Sequence, residues 1–200
     1  MLFNVWWSAL IFIPITTKRW YVKVPVFSFN KIHGLDAYLS PEMKSTGEAI
    51  GYDSTLNRAF YKALQASGMK IQNYGTVFAT ISSKDRLEAL PLIKRFYNLG
   101  FNIVATPGTS KFLNEHKIHN KVVNKFHEGS NDITKLLHSG FVAYVINTSE
   151  VGRNGMDGIK IRSLSIETNT PLFTSLDTVK VLLDVLDEST LKVSTINSKY

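Results

Sequence analysis

The chain contains no cysteine in 200 residues, which excludes disulfides, thiolate metal sites and a cysteine nucleophile, and fits a reducing cytoplasm. Histidine is sparse. The five present, His33, His116, His119, His127 and His138, show no His-Glu-x-x-His or comparable ligand spacing, which argues against a zinc site. Dense basic runs are missing too. The formal net charge is +7, from 23 Lys and Arg against 16 Asp and Glu, but the cations are scattered. That balance suits anionic ligands and lacks the footprint of a nucleic-acid binder. No apolar run reaches the roughly 20 residues of a membrane span. The strongest candidate, residues 1–15, holds Trp6, Trp7, Leu10, Ile11, Phe12 and Ile13 and is broken by Pro14. Its flanking charges, Lys18 and Arg19, follow the apolar stretch, whereas those of a secretory signal precede it. It reads as an atypical leader, or as the remnant of a neighbouring domain whose start was replaced.

What is present is enough for one buried core with appendages: 44% of the residues are hydrophobic and nothing in the balance points to disorder. Residues 22–29 read as extended, with Pro25 confining them to an edge or a strand end. Residues 30–52 mix turn formers and charges and read as a linker crossing a surface. Asp53 is expected to open a helix with Leu56, Phe60, Ala63 and Leu64 on one face, ended by Gly68. From residue 76 the pattern becomes regular. A strand at 76–81 precedes a helix at 84–98 with Leu87, Leu90, Ile93 and Phe96 or Tyr97 as its stripe, closed by Gly100. Strand 102–105 precedes a helix from Ser110 to about His116, and strand 121–126 precedes helix 132–138. Val142-Ala-Tyr-Val-Ile146 is the clearest strand, and strand 171–174 leads into helix 177–186. This alternation predicts a three-layer α/β/α domain on a five-stranded parallel sheet.

Parallel sheets bind ligands at the carboxyl ends of their strands. Ser82 and Ser83 follow the first strand, Ala105-Thr-Pro-Gly-Thr109 the second, Lys125 the third, and Asn147, Thr148 and Ser149 the fourth. The Thr-Pro-Gly-Thr turn offers two hydroxyls, a glycine that admits close approach, and the amide groups of a helix start. By itself such a turn also serves as a plain strand-to-helix connection. Four strand ends carrying hydroxyls, an amide and a cation are what turn it into a candidate phosphate pocket. Bland readings stand beside each residue: Lys125 as a solvated lysine, Arg86 as a charge on a helix's first turn, Asn147 as a backbone-bonding turn residue. His127 and Glu128 invite an acid-base reading, but adjacent residues on a strand or loop usually point apart, which argues against it.

Several segments carry a resemblance. Pro41-Glu-Met-Lys-Ser-Thr-Gly-Glu48, Gly75-Thr-Val, Gly100-Phe, Ala105-Thr-Pro-Gly-Thr109, Val123-Asn-Lys125, His127-Glu-Gly129, Val145-Ile-Asn-Thr148 and Ile161-Arg162 closely resemble the carboxy-terminal part of the bacterial-type carbamoyl phosphate synthetase large subunit. The resemblance runs from about residue 22 to about residue 186. It implies a remnant of the second ATP-grasp synthase unit and its linker over 22–52, after an unmatched segment at 1–21. Residues 53–200 would then be an allosteric domain with the methylglyoxal synthase-like, Rossmann-like fold. By resemblance the regulatory phosphate would be held by Arg86, or in its place Lys84 two residues before it, with Thr106, Thr109, Lys125, Asn147 and Ser149. The effector would be uridine monophosphate, with inosine monophosphate or phosphoribosyl pyrophosphate as further candidates. The implied protein partners are a synthase body and a glutaminase small subunit. The parent enzyme, a cytoplasmic ligase of pyrimidine and arginine biosynthesis, would use ATP with Mg or Mn, whereas this chain is expected to bind no cofactor and to be non-catalytic by itself. Arg86 stands where relatives carry lysine, Ser149 where threonine is frequent, and Ile161-Arg162-Ser163 lacks one arginine of an Ile-Arg-Arg pattern. A lyase of the methylglyoxal synthase type would need a carboxylate base in a Gly-Gly-Asp segment. Here Glu128-Gly-Ser-Asn-Asp132 takes that place, and Asn147-Thr148 replaces the lyases' Asp-Pro. The remaining alternative is an interaction module docking on a synthase body through the apolar residues 1–29.

Overall fold

The computed structural model describes residues 10–12, 19–26, 47–124, 131–148 and 156–191. Two sheets organise them. A small antiparallel sheet has the order β1-β2-β3, from Leu10–Phe12, Trp20–Val26 and Gly47–Asp53. The main sheet comprises β4 (Thr76–Thr80), β5 (Asn102–Ala105), β6 (Lys121–Val122), β7 (Val142–Asn147) and β8 (Leu172–Phe173). All of its pairings are parallel, in the order β6-β5-β4-β7-β8. The chain starts at the central strand, builds outward to β6, then crosses back to β7, so strand order reverses between β4 and β7.

Helices cover both faces, as a sheet buried on both sides requires. The helices are α1 (Leu56–Ala66), α2 (Arg86–Asn98), α3 (Pro107–Glu115), α4 (Asp132–His138), α5 (Met156–Glu167) and α6 (Leu176–Leu191). Alternation along the strands sorts the two cores. Val77, Ala79, Ile103, Tyr144 and Ile146 pack with α2, α3 and α6, while Phe78, Val104, Val142 and Val145 pack with α4 and α5. This is the expected three-layer α/β/α domain with a five-stranded parallel sheet. Tyr144 lies in the first core among Phe96, Phe101 and Phe173. Its hydroxyl donates to Gln72 O and accepts from Gln72 N, both at 2.8 Å. Burial pushes its pKa up to about 12.

Several boundaries differ from the sequence reading. Asp53 does not open α1. It ends β3, and Thr55 is the N-cap, accepting from Arg58 N. Residues 47–53 are a strand where a linker was expected, because Gly47, Glu48 and Gly51 mask a pattern whose inner residues are only Ala49, Gly51 and Asp53. β2 is central in the small sheet, yet β1 reaches only Tyr21, Val22 and Lys23, so among the described residues Pro25 is paired on one side alone. In α2 the buried stripe is Ala89, Leu92, Ile93 and Phe96, and Leu87 is exposed. The last strand is limited to β8, followed by a longer helix than expected. The β6 extension toward residue 126 lies outside the described residues. α5 carried no apolar stripe in the sequence, since its buried face includes Gly158, Arg162 and Ser165.

Asp53 also ties α1 to β3. Burial by itself raises its pKa. The Lys62 ammonium at 2.8 Å, the amide and hydroxyl of Ser54, and the Arg58 charge outweigh burial and bring the pKa from 3.8 down to about 2. A carboxylate depressed in the folded state stabilises fully above its unfolded pKa and loses that stabilisation as pH falls toward the folded value. Lys62 and Arg58 are half-exposed, so screening reduces the contribution to about 1 kcal/mol. The stability gap between wild type and Asp53→Asn, followed by urea unfolding, is expected to be present at pH 6 and to close between pH 4 and pH 2.

Candidate functional site

The carboxyl ends of β4, β5 and β7 meet around the reversal of strand order. β5 ends at Ala105 and Thr106 serves as the N-cap of α3, so Pro107 occupies the first helical position, where its missing N–H costs nothing. The helix thus begins three residues earlier than the sequence reading placed it. Gly108 and Thr109 consequently belong to its first turn, whose amide groups have no intrahelical acceptor. The Thr106 side chain does not cap them.

Thr106 and Thr109 are almost fully buried. Thr109 Oγ1 accepts from Ile81 N at 3.0 Å, and Thr106 Oγ1 lies 3.4 Å from both Thr109 Oγ1 and Thr80 Oγ1. Thr80 was not singled out from sequence, because a threonine closing a strand reads as an ordinary strand former. Its position at a carboxyl end was the available signal. The loop after β4 is stitched to β7: Thr148 N donates to Thr80 O at 3.2 Å, and Ser82 N donates to Thr148 Oγ1 at 3.0 Å.

Arg86 begins α2 after a 3-10 turn, Ser83–Asp85. Its guanidinium lies over the first turn of α3, so close that a Cβ added to Gly108 would stand 2.9 Å from Nη2. Its Nε is buried without a hydrogen-bond partner among the described residues. A cation here faces the positive end of a helix dipole, an arrangement of like poles that an anion between them relieves.

Asn147 ends β7, inside the strand and not in the turn after it, and is paired in register with Thr80. Its Nδ2 donates to Gly158 O at 3.0 Å, fastening α5 to the sheet edge. The backbone-bonding reading of this residue therefore holds for its amide. Arg162, four residues on from Gly158 and so on the same face of α5, is almost completely buried. Of the six expected phosphate residues, the structure brings Arg86, Thr106, Thr109 and Asn147 to one sheet edge. Lys125 and Ser149 lie outside the described residues, as do His127 and Glu128. Asp132 stands exposed on the first turn of α4, with Asn124 Nδ2 3.4 Å from its Oδ2.

Fold and strand order together define a doubly wound parallel α/β domain whose carboxyl edge gathers the Thr80, Thr106 and Thr109 hydroxyls and the Arg86 guanidinium. Residues 88–174 match the family of MGS-like domains. That span holds Thr106, Thr109, Lys125, Asn147 and Ser149, and begins two residues after Arg86. No helix among the described residues is long and apolar enough to cross a membrane.

Proposed function

We propose that the domain is a phosphate-sensing regulatory module of a glutamine-dependent carbamoyl phosphate synthetase large subunit, controlling synthesis by binding a nucleotide. The observation that carries the reading is the Arg86 guanidinium seated on Gly108 at the start of α3. Its buried Nε–H, the first-turn amides of α3 and the Thr106 and Thr109 hydroxyls are donors of the kind that a phosphate's oxygens accept from. The family resemblance adds Lys125 and Ser149 to the set, while Asn147 braces α5 at the same edge. The match to MGS-like domains supports a ligand at this edge and is equally compatible with a lyase. The departures at Glu128-Gly-Ser-Asn-Asp132 and at Asn147-Thr148 favour sensing over turnover. Regulation then follows from a difference in nucleotide affinity between active and inactive synthase, passed through contacts with the synthase body and the glutaminase subunit.

Calorimetric titration with uridine monophosphate, inosine monophosphate and phosphoribosyl pyrophosphate tests this. Saturable binding of at least one is expected, weakened about tenfold or more in Lys125→Ala, as loss of a charge-assisted contact requires. Absence of binding by all three removes the proposal. Formation of methylglyoxal from dihydroxyacetone phosphate, abolished by Asp132→Ala, replaces it with the lyase.

A further inference from the structure

We infer that the free edge of β3 receives an extended acidic peptide, which joins the small sheet as a fourth strand. β3 bonds β2 on one side, and among the described residues no strand pairs with its other side. Two observations set which backbone groups face that side. Lys62 Nζ donates to Tyr52 O at 3.2 Å from outside the ladder. Pro25, which has no N–H to give, is the register partner of Glu48, as fits a pair that exchanges no ladder bonds. Glu48, Ile50 and Tyr52 therefore turn their amides and carbonyls outward, while Ala49, Gly51 and Asp53 bond β2.

The same three residues present their side chains on the outer face, opposite α1. Ile50 is 62% and Tyr52 51% exposed, and Tyr52 stacks on Tyr21 with ring centroids 5.8 Å apart. On that face an arriving strand would meet Ile50 and Tyr52, beside the Glu48–Lys23 ion pair. Arg19 and Lys62 lie 5.9 and 5.6 Å from the Tyr52 ring centroid, so cations outnumber carboxylates along this edge. Arg58 and Lys62, both about half-exposed, project from α1 to the end of β3. The one carboxylate among them, Asp53, is buried and already shared by both. Alternating apolar and acidic side chains complement the two faces.

A second copy of this chain fits poorly. α1 runs directly beneath β3, since a Cβ at Gly51 would lie 2.1 Å from Ala59 O. Pairing two β3 strands through Glu48, Ile50 and Tyr52 at the ~4.8 Å strand spacing brings two such helices under one sheet closer than the roughly 8–10 Å that packed helices need. A single peptide strand brings no helix. Lys62, which fills the Tyr52 acceptor, yields that carbonyl to a peptide N–H and keeps Asp53. None of this depends on the anion site.

The test uses the full chain with two blocked octapeptides, one alternating Asp with Val and one alternating Lys with Val. Hydrogen exchange by NMR is expected to show new protection at the amides of Glu48, Ile50 and Tyr52 with the Asp peptide. Its affinity should exceed that of the Lys peptide at least tenfold at low salt, with the gap narrowing as salt rises. Ile50→Pro removes an outward N–H and no bond to β2, so it should abolish binding while the thermal transition stays in place. If that variant fails to fold, Ile50→Glu, which replaces the apolar contact for the peptide's valines on the outer face with a charge, should weaken binding at least fivefold. Unchanged exchange at the three amides, equal affinity for both peptides, or full binding by Ile50→Pro or by Ile50→Glu overturns the proposal.

Discussion

Gly51→Ala is expected to cost about 3 kcal/mol or more, at the upper end of what overpacking does in a well-filled core and a large share of a domain's 5–15 kcal/mol. A Cβ at Gly51 would lie 2.1 Å from Ala59 O, 2.4 Å from Ala63 N and 2.9 Å from Ala63 Cα. All three are backbone atoms of α1, so no rotamer change relieves the contact, and the helix must lift from the strand. Ala59 and Ala63 are fully buried at this crossing, one turn apart, which is the spacing that lets a helix backbone approach a strand. The small sheet and α1 share Val22, Val24 and Leu64, so lifting α1 opens that core first. Thermal unfolding should show a transition lowered by roughly 6 °C or more. Hydrogen exchange should show lost protection at β2 and β3 before β4, β5 and β7. A transition within about 2 °C of wild type would mean that α1 does not sit where it is described.

The middle of the main sheet could be read from sequence because β4, β5 and β7 are buried on both faces. Thr-Val-Phe-Ala-Thr, Asn-Ile-Val-Ala and Val-Ala-Tyr-Val-Ile-Asn are short apolar runs, and the reversals between them are marked by Gly75, Gly100 and Gly140, which occupy positive φ. β3 could not be read in that way. It buries an alanine, a glycine and an aspartate, so its inner face looks like a loop until the helix that fits that face is known. α5 failed for a related reason: it buries Gly158, Arg162 and Ser165 to serve the sheet edge, and a stripe chosen for polar contacts leaves no hydrophobic period. At the carboxyl edge, residue type and strand-end position single out Thr106, Thr109 and Asn147, whereas Arg86 comes from the family resemblance alone. They do not give the start of α3, because Pro107 reads as a turn residue although it suits the first helical position equally well. Thr80 and the Arg86–Gly108 contact depend on neighbours distant in sequence, which no local pattern carries.

Arg86→Met and Gly108→Ala should each raise stability and lower anion affinity, a pair of opposite signs that a purely structural role for Arg86 does not produce. In the absence of ligand Arg86 is a local liability, with a cation against a helix N-terminus and a buried Nε that has no acceptor among the described residues. Methionine keeps the apolar stem and removes both, for a gain of about 0.5–1 kcal/mol and a transition a few degrees higher. The same change deletes the charged donors, so phosphate or uridine monophosphate binding should weaken by about 1.5–3 kcal/mol, some 10- to 100-fold. Gly108→Ala reaches the same end without touching a charge. Alanine is the better helix residue by about 0.5–1 kcal/mol, and Gly108 is exposed, yet its Cβ would meet Nη2 at 2.9 Å and push the guanidinium off its seat. Arg86→Lys supplies the control: it keeps the charge, loses the planar fork, and should fall between wild type and Arg86→Met in affinity. Calorimetric titration and thermal unfolding of the three variants measure both quantities on the same preparations. Undiminished affinity in Arg86→Met would place the phosphate away from α3, and a stability loss there would make Arg86 a structural strut.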